Sequence, residues 1–209
     1  MRIKTLVAAM AAVASLAPIA AQAQAAEENP WMIRVRAVDL LWNNGQTGIA
    51  QTADIKAKDQ WIPEFDVSYF FTKNIAAELV LTWPQQVNIT AGGANVGKVS
   101  ALPPSLLAQY HFTELGAFKP YVGAGINYTI FGNRQNFPAL ENTVQVQPSS
   151  VGFVGQIGMD YMLDKNWGLN IDVKYATMAT NVQAVDGGAN LGKLTLNPWM
   201  PAVGVTYKF

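Results

Sequence analysis

The stretch VGFVGQIGMDYMLDKNWGLNIDVKYATM, residues 151–178, carries the pattern that decides the fold. On each side of a short turn at residues 164–166, apolar residues alternate with small or polar ones. The apolar set is Phe153, Ile157, Met159 and Tyr161 before the turn, and Trp167, Leu169, Ile171, Val173 and Tyr175 after it. Because successive side chains of a strand point to opposite faces, this period of two predicts a pair of antiparallel strands.

Six further segments show the same alternation. They are WMIRVRAVDLLW from Trp31, WIPEFDVSYFFT from Trp61, NIAAELVLTW from Asn74, SLLAQYHF from Ser105, KPYVGAGINYTI from Lys119 and PWMPAVGVTYKF from Pro198. Segments of about 9–12 residues have the length that a tilted strand needs to cross a bilayer. Aromatic residues at many of the segment ends match the aromatic belts at membrane interfaces.

Composition and loop lengths agree with a barrel in a membrane. Only 13% of the residues are charged and 50% are hydrophobic, against roughly 25% charged in soluble proteins. Short connections at residues 72–74, 113–118 and 164–166 alternate with long ones at about 43–60, 84–101, 132–150 and 179–198. We therefore predict an all-β, eight-stranded antiparallel up-and-down transmembrane β-barrel with short periplasmic turns and longer extracellular loops.

The first residues have the layout of a secretory signal peptide. Arg2 and Lys4 precede an apolar stretch, and small residues predict cleavage after Ala23 or Ala25. This assigns residues 1–25 to the signal peptide and 26–209 to the outer-membrane barrel, an N-terminal membrane anchor being the alternative. Without Arg2 and Lys4, 12 basic and 14 acidic residues remain, and this net charge of −2 argues against nucleic acid as a partner.

Charged residues recur on the polar faces of the segments. The basic ones are Arg34, Arg36 and Lys174, and the acidic ones are Glu64, Asp66, Glu78, Asp160 and Asp172. Buried charges are tolerated when they are paired, so these side chains predict a charge-paired barrel lumen.

Catalytic chemistry is not expected. The single histidine, His111, has Ser105 as its nearest hydroxyl on the same face, about 20 Å away along a strand. A nucleophile needs its base within hydrogen-bond reach, so we predict that the barrel is not an enzyme and that His111 bonds its lumen neighbours. The chain contains no cysteine, which excludes thiolate metal ligands, and we predict no metal site and no cofactor.

Four stretches, LPPSLLAQYHF, FKPYVGAGINYTIF, VGQIGMDYMLDKNWGLNIDVKY and NPWMPAVGVTYKF, resemble the OmpW/AlkL family of outer-membrane proteins. The resemblance covers nearly the whole chain after the signal peptide. It implies the outer membrane of a Gram-negative bacterium and passive uptake of small hydrophobic molecules through a narrow apolar lumen, with lateral release into the membrane. It also implies that Val80 and Val151 line the channel.

Two further expectations concern partners. The C-terminal Tyr207 and Phe209 are similar to the aromatic signature that the barrel-assembly machinery reads in outer-membrane proteins. Outer-membrane lipid and small hydrophobic ligands are the other expected partners of a monomeric barrel. The alternative function is a structural or adhesive barrel whose extracellular loops bind phage, bacteriocin or host.

The alternation itself adds candidate lumen residues. Leu40, Leu107, Val154, Met178 and Met200 are apolar residues on otherwise polar faces. They either line a channel or pack a filled lumen, since an eight-stranded barrel is only wide enough for side chains or one slim ligand. Glycines in the fifth and sixth segments permit bulges that switch the facing of side chains there.

Three prolines are candidates for a lateral opening. Pro84, Pro103 and Pro104 lie where the third and fourth segments meet the second long loop. Proline lacks the N–H group of a sheet ladder and so loosens strand pairing. The alternative is that these residues only mark the ends of a loop.

The motif GGAN-x-GK occurs twice, as GGANVGK at residues 92–98 and GGANLGK at 187–193. Both copies have the glycine and lysine spacing of a phosphate-binding loop, but Val99 and Leu194 follow where Ser or Thr is needed. Each copy lies in a long loop and supplies the glycines that a tight hairpin turn requires. We predict two similar β-hairpins at the mouth of the barrel.

Overall fold

The computed structural model describes residues 29–186 and 188–209. The predicted signal peptide with its cleavage sites at Ala23 and Ala25, and Gly187 of the second GGAN-x-GK copy, lie outside the described residues.

Strands dominate the described part of the chain. In chain order the elements are β1 (Trp31–Leu40), β2 (Gly45–Gln46), α1 (Ile49–Thr52), β3 (Ile55–Ala57), β4 (Gln60–Phe70), β5 (Ile75–Thr82), β6 (Gln85–Ala91), β7 (Ala94–Leu102), β8 (Ser105–His111), β9 (Phe118–Gly132), a 3-10 helix (Pro138–Leu140), β10 (Val144–Val146), β11 (Ser149–Met162), β12 (Trp167–Ala176), β13 (Ala179–Ala184), β14 (Asn190–Thr195) and β15 (Trp199–Lys208). Within residues 29–186 and 188–209, no helix has the length and apolar character that a membrane crossing needs.

Eight strands close into one antiparallel barrel, which confirms the predicted fold. They pair in the order β1, β4, β5, β8, β9, β11, β12 and β15, and β15 pairs back with β1. The closing register places Val35 opposite both Val205 of β15 and Phe65 of β4. Each strand therefore has a hydrogen-bonded neighbour on both sides, and the barrel has no free edge.

The period-two pattern sorts side chains between the two faces of the wall. In β1 the side chains of Arg34 and Arg36 are buried inside, whereas Val35 between them is 50% exposed on the outer face. The outer face carries exposed apolar residues on every barrel strand, and its two ends carry aromatic residues such as Trp167 near the short turns and Trp61 near the long loops. An outward apolar face with aromatic ends is the surface that a bilayer requires.

The glycine-rich strands β9 and β11 keep their alternation without a bulge. Their pairing runs unbroken from Ser149 opposite Ile130 to Tyr161 opposite Phe118. Val154 therefore points inward and is 3% exposed, whereas Val151, three residues earlier, is 72% exposed on the outer face. The expectation that Val151 lines the lumen is wrong, because residues an odd number apart in a regular strand face opposite sides.

Local hydrogen bonds stabilise the short turn between β11 and β12. The carboxylate of Asp164 accepts hydrogen bonds from the backbone N–H groups of Asn166 and Trp167, at 2.8 and 2.7 Å. These two hydrogen bonds hold the pKa of Asp164 below its ordinary value. The turn between β11 and β12 thus has its own acceptor for two backbone donors.

The four long loops join above the barrel into a structure that we call the collar, residues 41–59, 83–104, 133–148 and 177–198. The first loop pairs with the second through β3 and β6, and the third pairs with the fourth through β10 and β13. The fourth loop returns to the first through β14 and β2. The backbone N–H of Lys98 donates to the carbonyl of Asn136 at 3.0 Å and connects the second loop to the third. The collar is therefore a closed ring.

Both GGAN-x-GK copies lie in hairpins of the collar, the first in β6–β7 and the second in β13–β14. Gly92 and Gly93 have positive φ angles, 54° and 83°, between the paired residues Ala91 and Ala94. A two-residue turn with two positive φ angles matches the twist of a β-hairpin. This confirms the predicted hairpin at the first copy.

Candidate functional site

The inside of the barrel is divided into two chemically different parts. Towards the short turns, charged and amide side chains fill the lumen. Towards the long loops, an apolar core begins at Val38 and Leu40 and continues into the collar.

Arg34 is the first organising residue of the polar part. Its guanidinium group binds both oxygens of Asp160, with Nε to Oδ1 at 3.1 Å and Nη2 to Oδ2 at 2.7 Å. The Nη1 atom binds Glu78 at 2.5 Å, and the guanidinium group lies over the ring of Tyr121 at 4.6 Å. This bidentate contact uses the planar guanidinium group of arginine, which lysine lacks.

Arg36 organises the next layer towards the long loops. Its Nη2 lies 2.6 Å from Asp66 Oδ2, and its Nε lies 3.0 Å from Glu64 Oε1. Glu64 also binds the ammonium group of Lys174 at 2.7 Å, and Lys174 lies 3.0 Å from Asp172. All of these side chains are buried, as the sequence pattern predicts for a charge-paired lumen.

His111 belongs to a chain of amide hydrogen bonds at the end with the short turns. Its Nε2 lies 3.0 Å from Gln109 Oε1, and Gln109 donates to Gln156 at 2.8 Å. Gln156 in turn donates to Glu78 at 2.9 Å. The imidazole ring stacks on Tyr121 with a centroid distance of 5.0 Å. His111 is thus a packed lumen residue with hydrogen-bonded neighbours, and the absence of enzymatic activity stays a prediction.

The network closes the lower lumen. Tyr121, from β9, reaches across to donate to Asp172 of β12 at 2.8 Å, and Asn170 donates to the same tyrosine hydroxyl at 3.0 Å. Gly158 makes room for it, because a Cβ atom there would lie 2.3 Å from the hydroxyl oxygen of Tyr121. Arg36 of β1, on the opposite side of the barrel from β9, also donates to this hydroxyl at 3.1 Å, so side chains from opposite walls meet inside the barrel.

An apolar cavity of about 40 Å³ lies within the collar. We call it the upper cavity; its wall is apolar except for Thr180. Its lining residues are Trp42, Ile55, Ala57, Val87, Ile89, Val96, Val99, Ala101, Phe131, Phe137, Leu140, Val144, Val146, Thr180, Val182, Leu194 and Leu196. All four loops contribute, so the cavity exists only when the ring of loops is closed.

A second cavity of about 30 Å³ lies below it in the mouth of the barrel, and we call it the lower cavity. Trp42, Val87 and Ala101 line both cavities, so the two cavities are adjacent, and we call them together the apolar path. Lys174 and Glu64 form part of the lower cavity wall. The apolar path therefore ends on the charged network.

Six of the seven lumen candidates lie inside the barrel, and four of these six line the lower cavity. Leu40, Val80, Met178 and Met200 line the lower cavity. Leu107 and Val154 are buried in a cluster with Val80, inside the barrel but outside the cavity wall. Val151 lies on the outer face, as described above.

The barrel wall has a break in its hydrogen-bond ladder next to the three prolines. The pairing of β5 with β8 ends at Val80 and Ser105, and the pairing of β6 with β7 starts at Gln85 and Ala101. Pro84 lies on one side of this break, and Pro103 and Pro104 lie on the other. Trp83, within the break, is 77% exposed on the outer face. We call this segment of the wall the ladder gap.

Sequence reasoning missed most of the upper cavity. Trp42 ends a predicted strand segment, Phe131 falls between a predicted strand and a loop, and Phe137 lies in a predicted long loop, where it precedes a 3-10 helix. The only available signal was the alternation around the GGAN-x-GK copies, with Val87 and Ile89 in the first hairpin. That signal indicates strands, but it does not reveal that four separate loops share one cavity.

Comparison with known proteins finds relatives over almost the whole chain. The model of the OmpW family matches residues 28–209. The uncharacterized outer-membrane protein y4mB of Sinorhizobium fredii is 45% identical over 195 residues, which cover 91% of this chain and 84% of y4mB. The dibenzothiophene metabolism operon protein PahQ of Pseudomonas aeruginosa is 25% identical over 198 residues, 88% of this chain and 90% of PahQ.

A solved structure supports the fold. The crystal structure of the outer membrane protein OprG from Pseudomonas aeruginosa matches with a TM-score of 0.72 and 24% sequence identity. The match covers 87% of this chain and 96% of OprG. The eight-stranded barrel of this chain therefore has the architecture of an outer-membrane barrel.

Proposed function

Because the chain belongs to the OmpW family of outer-membrane proteins, we propose that it is a passive channel for small hydrophobic molecules. The observation that carries this proposal is the pair of adjacent, largely apolar cavities that leads from the collar into the barrel mouth. A ligand enters between the extracellular loops, passes the upper cavity and reaches the lower cavity. Apolar walls favour apolar ligands because they offer no partner to replace the water around a polar group.

Passage requires side chains to move. Cavities of about 40 and 30 Å³ hold only a few water-sized groups, whereas pockets that enclose a drug-sized ligand measure about 300–1,000 Å³. The lining is made of side chains such as Met178 and Met200, and methionine adapts its shape to its surroundings. A slim ligand passes by displacing them in turn.

The exit that we propose is sideways, through the ladder gap. The charged network below the lower cavity is a barrier to an apolar ligand, because separating buried ion pairs is costly. At the ladder gap the wall lacks the backbone hydrogen bonds that join strands elsewhere, and Pro103 borders the lower cavity. The ligand then enters the membrane directly.

The comparison with PahQ supports an apolar ligand. That relative is named for an operon of dibenzothiophene metabolism, and dibenzothiophene is an apolar heterocycle. The proposal for this chain concerns the class of small apolar molecules and does not single out that compound. Recognition of Tyr207 and Phe209 by the barrel-assembly machinery is a separate proposal.

Blocking the apolar path with a bulky side chain tests the channel. Leu40→Trp and Val80→Trp each fill the lower cavity, and we expect uptake of an alkane-sized substrate by whole cells to fall to the level of cells without the protein. Val151→Trp is the matched control, since this residue is on the outer face. Unchanged uptake in both lumen variants would contradict the proposal. If phage or bacteriocin sensitivity depends on the protein and survives the block, the loops act as a receptor instead.

A further inference from the structure

Thr82 has a buried hydroxyl group without a hydrogen-bond partner. Among the described residues, three side-chain oxygen atoms share this property, and the other two are carboxylate oxygens of Asp66 and Asp172 in the charged network. The Asp172 oxygen lies 3.0 Å from the ammonium group of Lys174. Thr82 Oγ1 is thus the one neutral group in this set, and burial without a partner is unfavourable for a hydroxyl.

Thr82 is part of the wall of the lower cavity. Thr82 is the last residue of β5, on the same face as Val80, and it lies opposite Glu64 of β4. It lines the lower cavity together with Val80 and Met200. It also lies beside the ladder gap, because β5 pairs with β8 only as far as Val80.

The other polar groups around the lower cavity already have partners. Lys174 and Glu64 bind each other at 2.7 Å. Asn127 donates to the hydroxyl of Ser105 at 2.9 Å. The amide nitrogen of Gln85 donates to the carbonyl of Trp83 at 2.6 Å. Among the described residues that line this cavity, Thr82 therefore has the one buried side-chain oxygen with no hydrogen-bond partner at all.

The path to Thr82 selects against charged ligands. Thr180 is the one polar residue in the lining of the upper cavity, and its hydroxyl accepts a hydrogen bond from the backbone N–H of Gln147. An ionised ligand would lose its water there without compensation, whereas a single neutral hydroxyl loses much less. At the end of the path Glu64 and Lys174 already pair with each other at 2.7 Å, so neither offers an unpaired counter-charge to an ionised ligand.

We propose that the lower cavity prefers slim apolar molecules that carry one terminal neutral hydrogen-bonding group, such as a primary alcohol, and that Thr82 determines this preference. The inference rests on the proposed channel function and adds a substrate class to it. The apolar body of the ligand packs on Val80, Met178 and Met200, while its hydroxyl binds Thr82 Oγ1. The ligand head then lies next to the proposed exit.

The test compares 1-octanol with n-octane on the full barrel in lipid nanodiscs. The NMR signal of the indole N–H of Trp42, assigned with a Trp42→Phe variant, reports ligand entry, because Trp42 lines both cavities. Titrations are run on the unmodified protein, Thr82→Val and Thr82→Ser. Thr90→Val is the matched control, since Thr90 lies in β6 and lines neither cavity.

We expect Thr82→Val to weaken octanol binding by about 2- to 10-fold, the effect of one hydrogen bond, and to leave octane binding unchanged. Thr82→Ser keeps the hydroxyl, so its octanol binding is expected to match that of the unmodified protein. Equal weakening of both ligands, or no weakening of either, overturns the inference while the channel stands. If neither ligand shifts the Trp42 signal of the unmodified protein, the channel proposal and this inference both fall.

Discussion

Gly97 and Gly192 hold the same position in the two GGAN-x-GK copies. At both positions, the backbone of another loop occupies the space that a side chain would need. A Cβ atom at Gly97 would lie 2.2 Å from the carbonyl oxygen of Asn136, and one at Gly192 would lie 2.2 Å from that of Thr47. The lysine after each glycine bonds the crossing loop through its backbone N–H. The repeat therefore marks two docking points that close the collar.

Replacing either of these two glycines by alanine is expected to open the collar. In Gly97→Ala and Gly192→Ala the crossing loop must move away, because such overlap costs about 1–3 kcal/mol in a packed region. Gly192 carries an additional cost, since its φ of 143° is unfavourable for other residues. We expect faster cleavage of the extracellular loops by protease and slower uptake of apolar substrate.

Gly155→Ala is the control for the collar variants, because nothing lies within 4 Å of a Cβ atom there. Its loop cleavage is expected to match that of the unmodified protein. Cleavage of Gly97→Ala at the same rate as Gly155→Ala would show that the close crossing does not hold the collar together.

The charged network predicts a large loss of stability for Glu78→Gln. Glu78 binds Arg34 at 2.5 Å and Arg36 at 3.4 Å, and all three side chains are fully buried. Removing one partner of a buried ion pair typically costs about 3–5 kcal/mol. Guanidinium titrations in detergent micelles measure the change in free energy of unfolding.

The exposed pair of Lys56 and Asp54 provides the control for the Glu78 variant. The two side chains are 2.8 Å apart, and each is 48% exposed. Lys56→Ala is expected to change stability by less than about 1 kcal/mol. If Glu78→Gln lowers the free energy of unfolding no more than Lys56→Ala does, water must reach the charged network.

Tyr121 occupies space that only a glycine at position 158 leaves free. We expect Gly158→Ala to displace the tyrosine hydroxyl from Asp172 and to reduce stability by about 1–3 kcal/mol through overpacking. Gly155→Ala, on the opposite face of the same strand, is expected to leave the free energy of unfolding within about 1 kcal/mol. Equal effects of the two substitutions would be incompatible with a tyrosine that crosses the lumen.

If ligands leave the barrel through the ladder gap, replacing the prolines beside it changes ligand release. Replacing Pro84 and Pro103 by alanine restores two backbone N–H groups, which can extend the pairing between the neighbouring strands. If ligands leave through the gap, uptake of apolar substrates by whole cells falls, while ligand entry measured at Trp42 stays unchanged. Normal uptake in the double variant would argue for a different exit.

Much of the barrel was predictable from the sequence alone. The alternation of side chains in segments such as 151–178 determined the strand number and placed Arg34, Arg36 and Lys174 inside. These are local properties, because the pleat of a strand fixes the facing of each residue relative to its neighbours. The same rule places Val151 on the outer face, against the role that the family resemblance implied for it.

The composition of the site follows from long-range contacts that the sequence pattern does not reveal. The upper cavity combines Trp42, Phe137 and Leu194 from three different loops, and the unpartnered hydroxyl of Thr82 depends on which side chains the fold places around it. Both properties depend on contacts between residues far apart in the chain, and a period-two pattern does not specify which residues meet across a lumen. The period of two in the sequence sets which face each side chain takes, whereas the closure of barrel and collar sets what each side chain meets there.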